Sequence, residues 1–592
     1  MNENTNLTID MINSNYNNYF KISLNNFLYN AGVIGFIEVL NIAKINYLID
    51  NKDLYIEKAS LVNDNLAQAY IYAICDKFKE DTFYTKIKSS EKDYEKELNL
   101  IVKQFDKKSE ENSDIKGGKY RQAIKKIGIV KNYDYESELI KLPSDERKEK
   151  IKDLLENFDD ISKSILNFNS VTGKITPFWG QFAFLDYANT SEYPLTFIIE
   201  KYFTNPIKNI AKNRNEDTIK DFCFSCQNPI YEDYVYETLG QKSKKENENK
   251  KIKTKQYNTS FIKSLAQDLE GKSSHFWNHN PDVIICPICA FIYACMPIGF
   301  TNIKNDFIFI NNSESIKTLL IENKNYKLDL LKQHKDNINY FQAYIETKIE
   351  KNEKEIEGIE FIINQFDINK KENKYIIKNI DKITLSLLNA SKNYLNIIYA
   401  INISCKLDNK TSLDIFNECI DNIFRNVNQY NLIHKIFITK YPDNIKKDQI
   451  PELMYYIALI QITKNYIFKE KGGENMQIDR IKKGEEARNE GSKLRWYISQ
   501  NIEAKGEELN DRIKGISFKL ANAIQTCNFN LFRDVLFHTY IALGKNIPTI
   551  FMDMRESNNT FKDLGYSYLA GLNGAYINKN KEENQNNEEE GE

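Results

Sequence analysis

The chain has 592 residues, enough for several domains, and its 41% hydrophobic and 28% charged content is that of a soluble globular protein. A formal net charge of −2 excludes binding to a polyanion through bulk charge, so any nucleic-acid contact has to come from local basic patches. Nine cysteines are too few for a secreted disulfide scaffold, and the start Met1-Asn-Glu-Asn-Thr-Asn6 lacks the basic and apolar regions of a signal peptide, which together point to the cytoplasm.

Lysine and asparagine are abundant along the whole chain, so a lysine-rich stretch is not by itself a signal. Phe27 to Leu40 reads as a helix, with Val33, Phe36, Ile37 and Leu40 on one face and Gly32 and Gly35 allowing close backbone approach. Glu57 to about Phe105 also looks helical. Lys116-Gly-Gly-Lys-Tyr-Arg121 follows, with Lys125, Lys126 and Lys131 behind it. Two glycines, a run of cations and a tyrosine suit phosphates and a base; the plain alternative is a solvated glycine turn. Thr172 to Gly180 breaks a charged helical pattern but lacks the order of a phosphate-binding loop, and is expected to be a packed aromatic loop.

The strongest signal is Cys223-Phe-Ser-Cys226 answered by Cys286-Pro-Ile-Cys289. Each pair lets one tight turn aim two thiolates at one ion, and two pairs make the closed tetrahedral set of a structural zinc. Two redox or disulfide pairs are the alternative. His275, His279 and Cys295 lie close enough in sequence to replace one ligand. The stretch from Gln241 to Lys255 has no apolar period and reads as a mobile insertion between the halves of the site. Val283 to Phe300 is almost wholly apolar and near membrane-span length, but its prolines and thiols favour a buried segment clamped by metal.

Ser315 to about Phe468 reads as helical, including the Ile356–Ile363 cluster. No nucleotide fingerprint, paired acids or nucleophile–histidine constellation stands out, and the chain is expected not to be an enzyme. The last hundred residues read as four amphipathic helices. Ile478 and Ile481 open the first; Leu509, Ile513, Ile516, Leu520 and Ile524 stripe the second; Phe532 to Leu543 and Phe561 to Leu572 supply the others. Asn528 is the expected N-cap of the third, and Gly544 its stop. Lys493, Arg495, Arg512 and Lys519 give this part a candidate basic face. The expected fold is mainly α with a mixed α/β N-terminal part (1–220), a zinc-site insertion (221–300), a helical middle (301–470), a C-terminal antiparallel helical bundle (476–578) and a disordered acidic tail (579–592).

The two thiol pairs, the Asn30-Ala-Gly-Val-Ile-Gly35 opening and the C-terminal helices together resemble the CXXC–CXXC family of CRISPR-associated proteins, the large subunit of the type I-B Cascade complex. The resemblance implies a non-enzymatic protein that works with guide crRNA, target double-stranded DNA and the other Cascade subunits. It would read the protospacer-adjacent motif, aid duplex opening and recruit the helicase–nuclease, while base pairing reads the target. Asn30 and the Lys116–Lys126 stretch are the expected N-terminal contacts to nucleic acid. The C-terminal helices resemble the small subunit that lines the displaced strand, which in this family can arise from an internal start. Here Met476 follows Lys471-Gly-Gly-Glu-Asn475, a peptide that A-ending codons write with AGGAGG, a ribosome-binding sequence, at a suitable distance upstream. The alternative is a zinc-stabilised helical scaffold that binds protein partners without nucleic acid.

Overall fold

The computed structural model describes residues 9–14, 18–62, 65–79, 91–111, 139–156, 178, 202–203, 205–210, 219–239, 252–259, 262, 284–303, 306–332, 340–347, 359–367, 372–406, 412–439, 449–467, 474–500 and 507–575. The chain divides into two compact units, residues 1–324 with 360–377 and residues 325–359 with 378–592. Helices dominate, with small sheets in the first unit, which agrees with the mainly α expectation.

The first unit is built on a helix that is apolar on nearly every side. β1 (Tyr19–Ser23) leads into α1 (Phe27–Ala43), followed by the hairpin β2 (Tyr47–Asp50) and β3 (Asp53–Glu57) and then α2 (Leu66–Lys77). Strand order is β1-β3-β2, all antiparallel. Strict alternation puts Phe20, Ile22, Tyr47, Ile49, Leu54 and Ile56 on one buried face. α1 starts where Asn26 Oδ1 accepts the Tyr29 N–H at 3.0 Å and ends at Lys44, whose φ of 58° turns the chain out of the helix. Thirteen of its residues, Leu28 to Ala43, are buried, so it is a central helix rather than the one-faced helix the sequence suggested.

What covers α1 comes from much later in the chain. The hairpin β4 (Ile219–Phe222) and β5 (Pro229–Tyr231) carries the first thiol pair; α3 (Pro287–Ala294) and the short α4 (Met296–Gly299) carry the second. The apolar run from Ile285 to Phe300 is buried in this core. Among the described residues no helix is long and apolar enough to cross a membrane. Phe36 packs edge-on against Phe291 (5.7 Å) and Tyr29 against Tyr293 (5.2 Å), while Tyr70 on α2 donates to Ala294 O at 2.9 Å. Backbones approach so closely that a Cβ on Gly32 would overlap Ile292 O, one on Gly35 would overlap Cys295 O, and one on Gly299 would overlap Ala31 O.

Two expectations need correction. The lysine-rich insertion ends in a strand: Ile252–Gln256 pairs with Val235–Leu239, its Ile252 and Thr254 alternating with lysines. The middle of the chain is not all helix either. β6 (Thr301–Ile303), β7 (Asp306–Asn312), β8 (Ile359–Asp367) and β9 (Glu372–Ile380) form one sheet in the order β9-β8-β7-β6. Phe361, Ile362 and Ile363 are a short, fully buried apolar run, which periodicity cannot distinguish from helix; the neighbouring strand β7 decides it.

The second unit is helical around its C-terminal part. α5 (Tyr430–Ile438) and α6 (Gln449–Ile467) precede α7 (Glu474–Gln500), α8 (Glu507–Gln525), α9 (Phe529–Ala542) and α10 (Asn558–Leu572). Asn528 caps α9, accepting the Leu531 N–H at 3.0 Å, and Gly544 with φ 63° follows its end, both as the sequence predicts. α10 packs against α6, α7, α8 and α9. Lys483 pairs with Asp553 (3.3 Å), Ser492 Oγ donates to Gly571 O (3.3 Å) and Arg495 Nη1 to Leu572 O (3.3 Å), so α7 and α10 run in the same direction. Phe532–Phe561 and Tyr540–Tyr568 pairings show the same for α9. Ile524 lies by Gly565 and Ser517 by Asn573, so α8 runs antiparallel to α10. The long connection from Leu543 to Ser557 returns the chain to make this possible. Buried Asp563 on α10 accepts hydrogen bonds from Tyr430 (2.8 Å) and from Asn465 on both oxygens (3.0 and 2.9 Å), a satisfied carboxylate that fixes α10 against α5 and α6.

Because Gly299 is locked against Ala31, a Gly299→Ala substitution is expected to destabilise the first unit by about 2–3 kcal/mol, as overpacking does. A thermal melt followed by circular dichroism would show the shift; an unchanged midpoint would mean that the helices separate freely here.

Candidate metal centre

The loop between β4 and β5 is a tight knuckle. Cys223 N–H donates to Asn228 O and Gln227 N–H to Cys223 O, both at 2.8 Å, and Gln227 takes a φ of 58° to close it. This turn brings the Cys223 and Cys226 side chains to one side. The second pair sits at a helix start: Cys286 is the N-cap of α3, Pro287 occupies its first turn, and Cys289 N–H points to Cys286 Sγ at 3.5 Å. The two pairs are tied through the backbone as well, by Phe224 N–H to Ile284 O (3.0 Å) and Cys286 N–H to Cys223 Sγ (3.2 Å).

The four sulfurs lie within 4.8 Å of one another, and Cys226 Sγ is 3.7 Å from Cys286 Sγ. A tetrahedral zinc with about 2.3 Å bonds to sulfur separates its ligands by about 3.8 Å, so the four side chains fit such an ion. Among the described residues this is the single cluster of metal-ligating side chains. All four are free thiols, with Cys223, Cys286 and Cys289 buried and Cys226 half-buried. Burial pushes the Cys286 and Cys289 thiols well above their ordinary range. Burial acts on Cys223 the same way, but hydrogen bonds from Cys226, Cys286 and Cys289 outweigh it and hold that thiol far down. The site is therefore arranged to stabilise a thiolate at Cys223 and to release protons as a metal enters.

A hydrogen-bonded shell surrounds the sulfurs, and most of it comes from the N-terminal end of α1. Tyr29 OH lies 3.2 Å from Cys289 Sγ and is placed to donate to a ligating thiolate; Asn228 Nδ2 donates to Cys226 Sγ at 3.3 Å. Burial, reinforced by the neighbouring thiols, raises the Tyr29 hydroxyl well above its usual value, so it stays protonated as a donor. Tyr293 OH accepts from Asn26 Nδ2 and Ser225 Oγ, each at 3.2 Å, and burial pushes it up to about 12. Asn25 Nδ2 donates to Ser225 O at 3.0 Å.

None of Asn25, Asn26, Tyr29, Ser225 or Tyr293 was singled out from sequence. Their partners lie about two hundred residues or more away in most cases, so no spacing announces them. Asn30, expected to contact nucleic acid, is fully buried. Its amide bridges Asn25 (2.7 and 3.0 Å) and Asn311 (2.9 Å), and Asn311 continues to Glu360 (2.8 Å); this corrects the expectation, because no face of the side chain is left for a ligand. Cys295 is buried beside α1, apart from the four sulfurs. His275, His279, Lys116, Lys119, Arg121, Lys125 and Lys126 lie outside the described residues. In the second unit Lys493 pairs with Glu490 (2.6 Å), and Arg495 is spent partly on the carbonyl end of α10, where a cation suits the helix terminus. Arg512 and Lys519 are exposed.

Residues 244–301, which contain the second thiol pair and the α3–α4 segment over α1, match a CRISPR-associated protein family, Cas_CXXC_CXXC. No curated protein and no solved structure matches the chain.

Since at least the Cys286 and Cys289 protons must leave when an ion binds, affinity should fall as pH falls, by up to about 100-fold per unit. Zinc titration against a competing chelator at pH 6.5 and 7.5 measures this. Tyr29→Phe should weaken metal about 10-fold in the same assay while leaving four sulfur ligands in the zinc absorption-edge spectrum.

Proposed function

We propose that the chain is the large subunit of a type I-B CRISPR Cascade, an RNA-guided DNA surveillance complex. In this reading it has no catalytic step of its own. It holds the guide crRNA together with the other subunits, recognises the protospacer-adjacent motif on duplex DNA, aids strand opening and recruits the helicase–nuclease. The observation that carries it is the coincidence of the family match with the thiol centre: the matched span supplies two of the four sulfurs and the helix that locks onto α1. The metal is proposed to be zinc, in a structural role, since four thiolates closed around one ion leave no open position for a substrate.

The C-terminal helices are proposed to be made a second time, as a small subunit starting at Met476. Helix α7 begins at Glu474, so a chain starting at Met476 keeps nearly all of it. It would lose α6, whose Asn465 holds Asp563 in the full-length chain.

The test is a pull-down through a C-terminal tag from cells carrying the native operon, with intact masses and RNA sequencing of what is recovered. Full-length protein with guide crRNA, further subunits and a short species beginning at Met476 is the expected result. Silent recoding of Lys471 to Glu474 to remove AGGAGG should abolish the short species alone. Full-length zinc protein without RNA, when the other subunits are expressed, would instead support a scaffold that binds proteins only.

A further inference from the structure

The four sulfurs are not equally shielded. Cys223 and Cys289 are 0% exposed and Cys286 is 1% exposed, whereas Cys226 is half-buried and stands next to exposed Gln227 in the β4–β5 knuckle. A small dissolved oxidant therefore meets the Cys226 sulfur before the other three, and thiol reactivity follows such access. Asn228 Nδ2 donates to Cys226 Sγ at 3.3 Å, which tempers that sulfur without covering it.

The partner available to Cys226 lies across the cluster. Its Sγ is 3.7 Å from Cys286 Sγ at the start of α3. A disulfide holds its sulfurs about 2.0 Å apart, so closure asks for a shift of under about 2 Å. Cys223, in the same pair as Cys226, has its Sγ held by the Cys286 N–H at 3.2 Å, while the Cys289 N–H that points to Cys286 Sγ is longer, at 3.5 Å. Cys286 is thus the less restrained nucleophile. A link within the first pair would leave the hairpin and α3 without a covalent tie. A Cys226–Cys286 link joins the same two segments that the metal joins, 60 residues apart in the chain.

We propose that Cys226 is the site at which a peroxide oxidises this cluster, and that the product is a Cys226–Cys286 disulfide that expels the metal. The Cys226 thiolate attacks one peroxide oxygen; the O–O bond breaks, a sulfenic acid forms and hydroxide leaves. The Cys286 thiolate then attacks the Cys226 sulfur; the S–S bond forms, the S–O bond breaks and a second hydroxide leaves. The two thiolates have lost two electrons, and the peroxide has become two hydroxides, which take up protons to give water. Only Cys223 and Cys289 remain as ligands, too few for a structural zinc. The inference rests on the zinc centre proposed above and is independent of the Cascade role.

The test uses the full-length protein loaded with zinc. Hydrogen peroxide is added, zinc release is followed with a colorimetric chelator, and disulfides are mapped by mass spectrometry of unreduced peptides. One zinc released per Cys226–Cys286 disulfide, with zinc binding restored by dithiothreitol, is the expected result. Asn228→Ala keeps all four sulfurs but loses the donor to Cys226 Sγ, so it should release zinc roughly 5-fold faster, the worth of one hydrogen bond. Cys527→Ser removes the other half-buried cysteine among the described residues and should change nothing. A first disulfide inside either CXXC pair, zinc release without a disulfide at Cys226, or an Asn228→Ala rate equal to that of the parent would overturn the proposal. Untreated protein that retains no zinc would overturn the zinc reading alone, and the disulfide map would still decide which sulfurs pair.

Discussion

Four sulfurs drawn to one point constrain nearly everything in the first unit. Two of them come from a hairpin and two from a helix start, with about sixty residues between them. A hydrophobic core alone would tolerate some slippage between such distant segments. The thiols do not, because their ligand distances are short and directional. Once the hairpin and the start of α3 are fixed, the apolar run behind Cys289 has one course left, along α1.

That course is made possible by glycines. Gly32, Gly35 and Gly299 allow carbonyls of one helix to approach the backbone of the other where any side chain would collide. Close approach lengthens the line of van der Waals contact, and aromatic pairs such as Phe36–Phe291 close its flanks. The same geometry brings the N-terminal end of α1 against the sulfurs, so Tyr29, Asn26 and Asn25 become the outer hydrogen-bonding shell of the four-cysteine cluster. Metal site and core are one construction, and Asn30 belongs to it as a buried bridge rather than to a binding surface.

In the second unit a buried carboxylate does a related job by different chemistry. Asp563 is buried, and its oxygens are satisfied by hydrogen bonds from Tyr430 and Asn465. Apolar stripes would let α10 rotate or slide against α6; a carboxylate that must find its donors sets the register. The polar outer side of α8 carries no such constraint and faces water.

Several features were legible without coordinates. The CXXC spacing named the four ligands, helical periodicity named the C-terminal helices, and Asn528 and Gly544 marked the ends of one of them, because these signals are local and act within a few residues. The β7–β8 pairing was not legible, since Phe361-Ile-Ile363 suits a buried strand as well as a helix until a neighbouring strand is available. Helix direction was not legible either: a sequence of amphipathic stripes suggests alternation, but the long connection before Ser557 lets α10 run alongside α7 and α9. The sequence by itself determined the ligand set and the helical segments, which depend on chemistry carried by neighbouring residues. Only the tertiary structure decided that Tyr29 stands against the four sulfurs and that Asn30 is internal, because each depends on what packs beside a residue from a distant part of the chain.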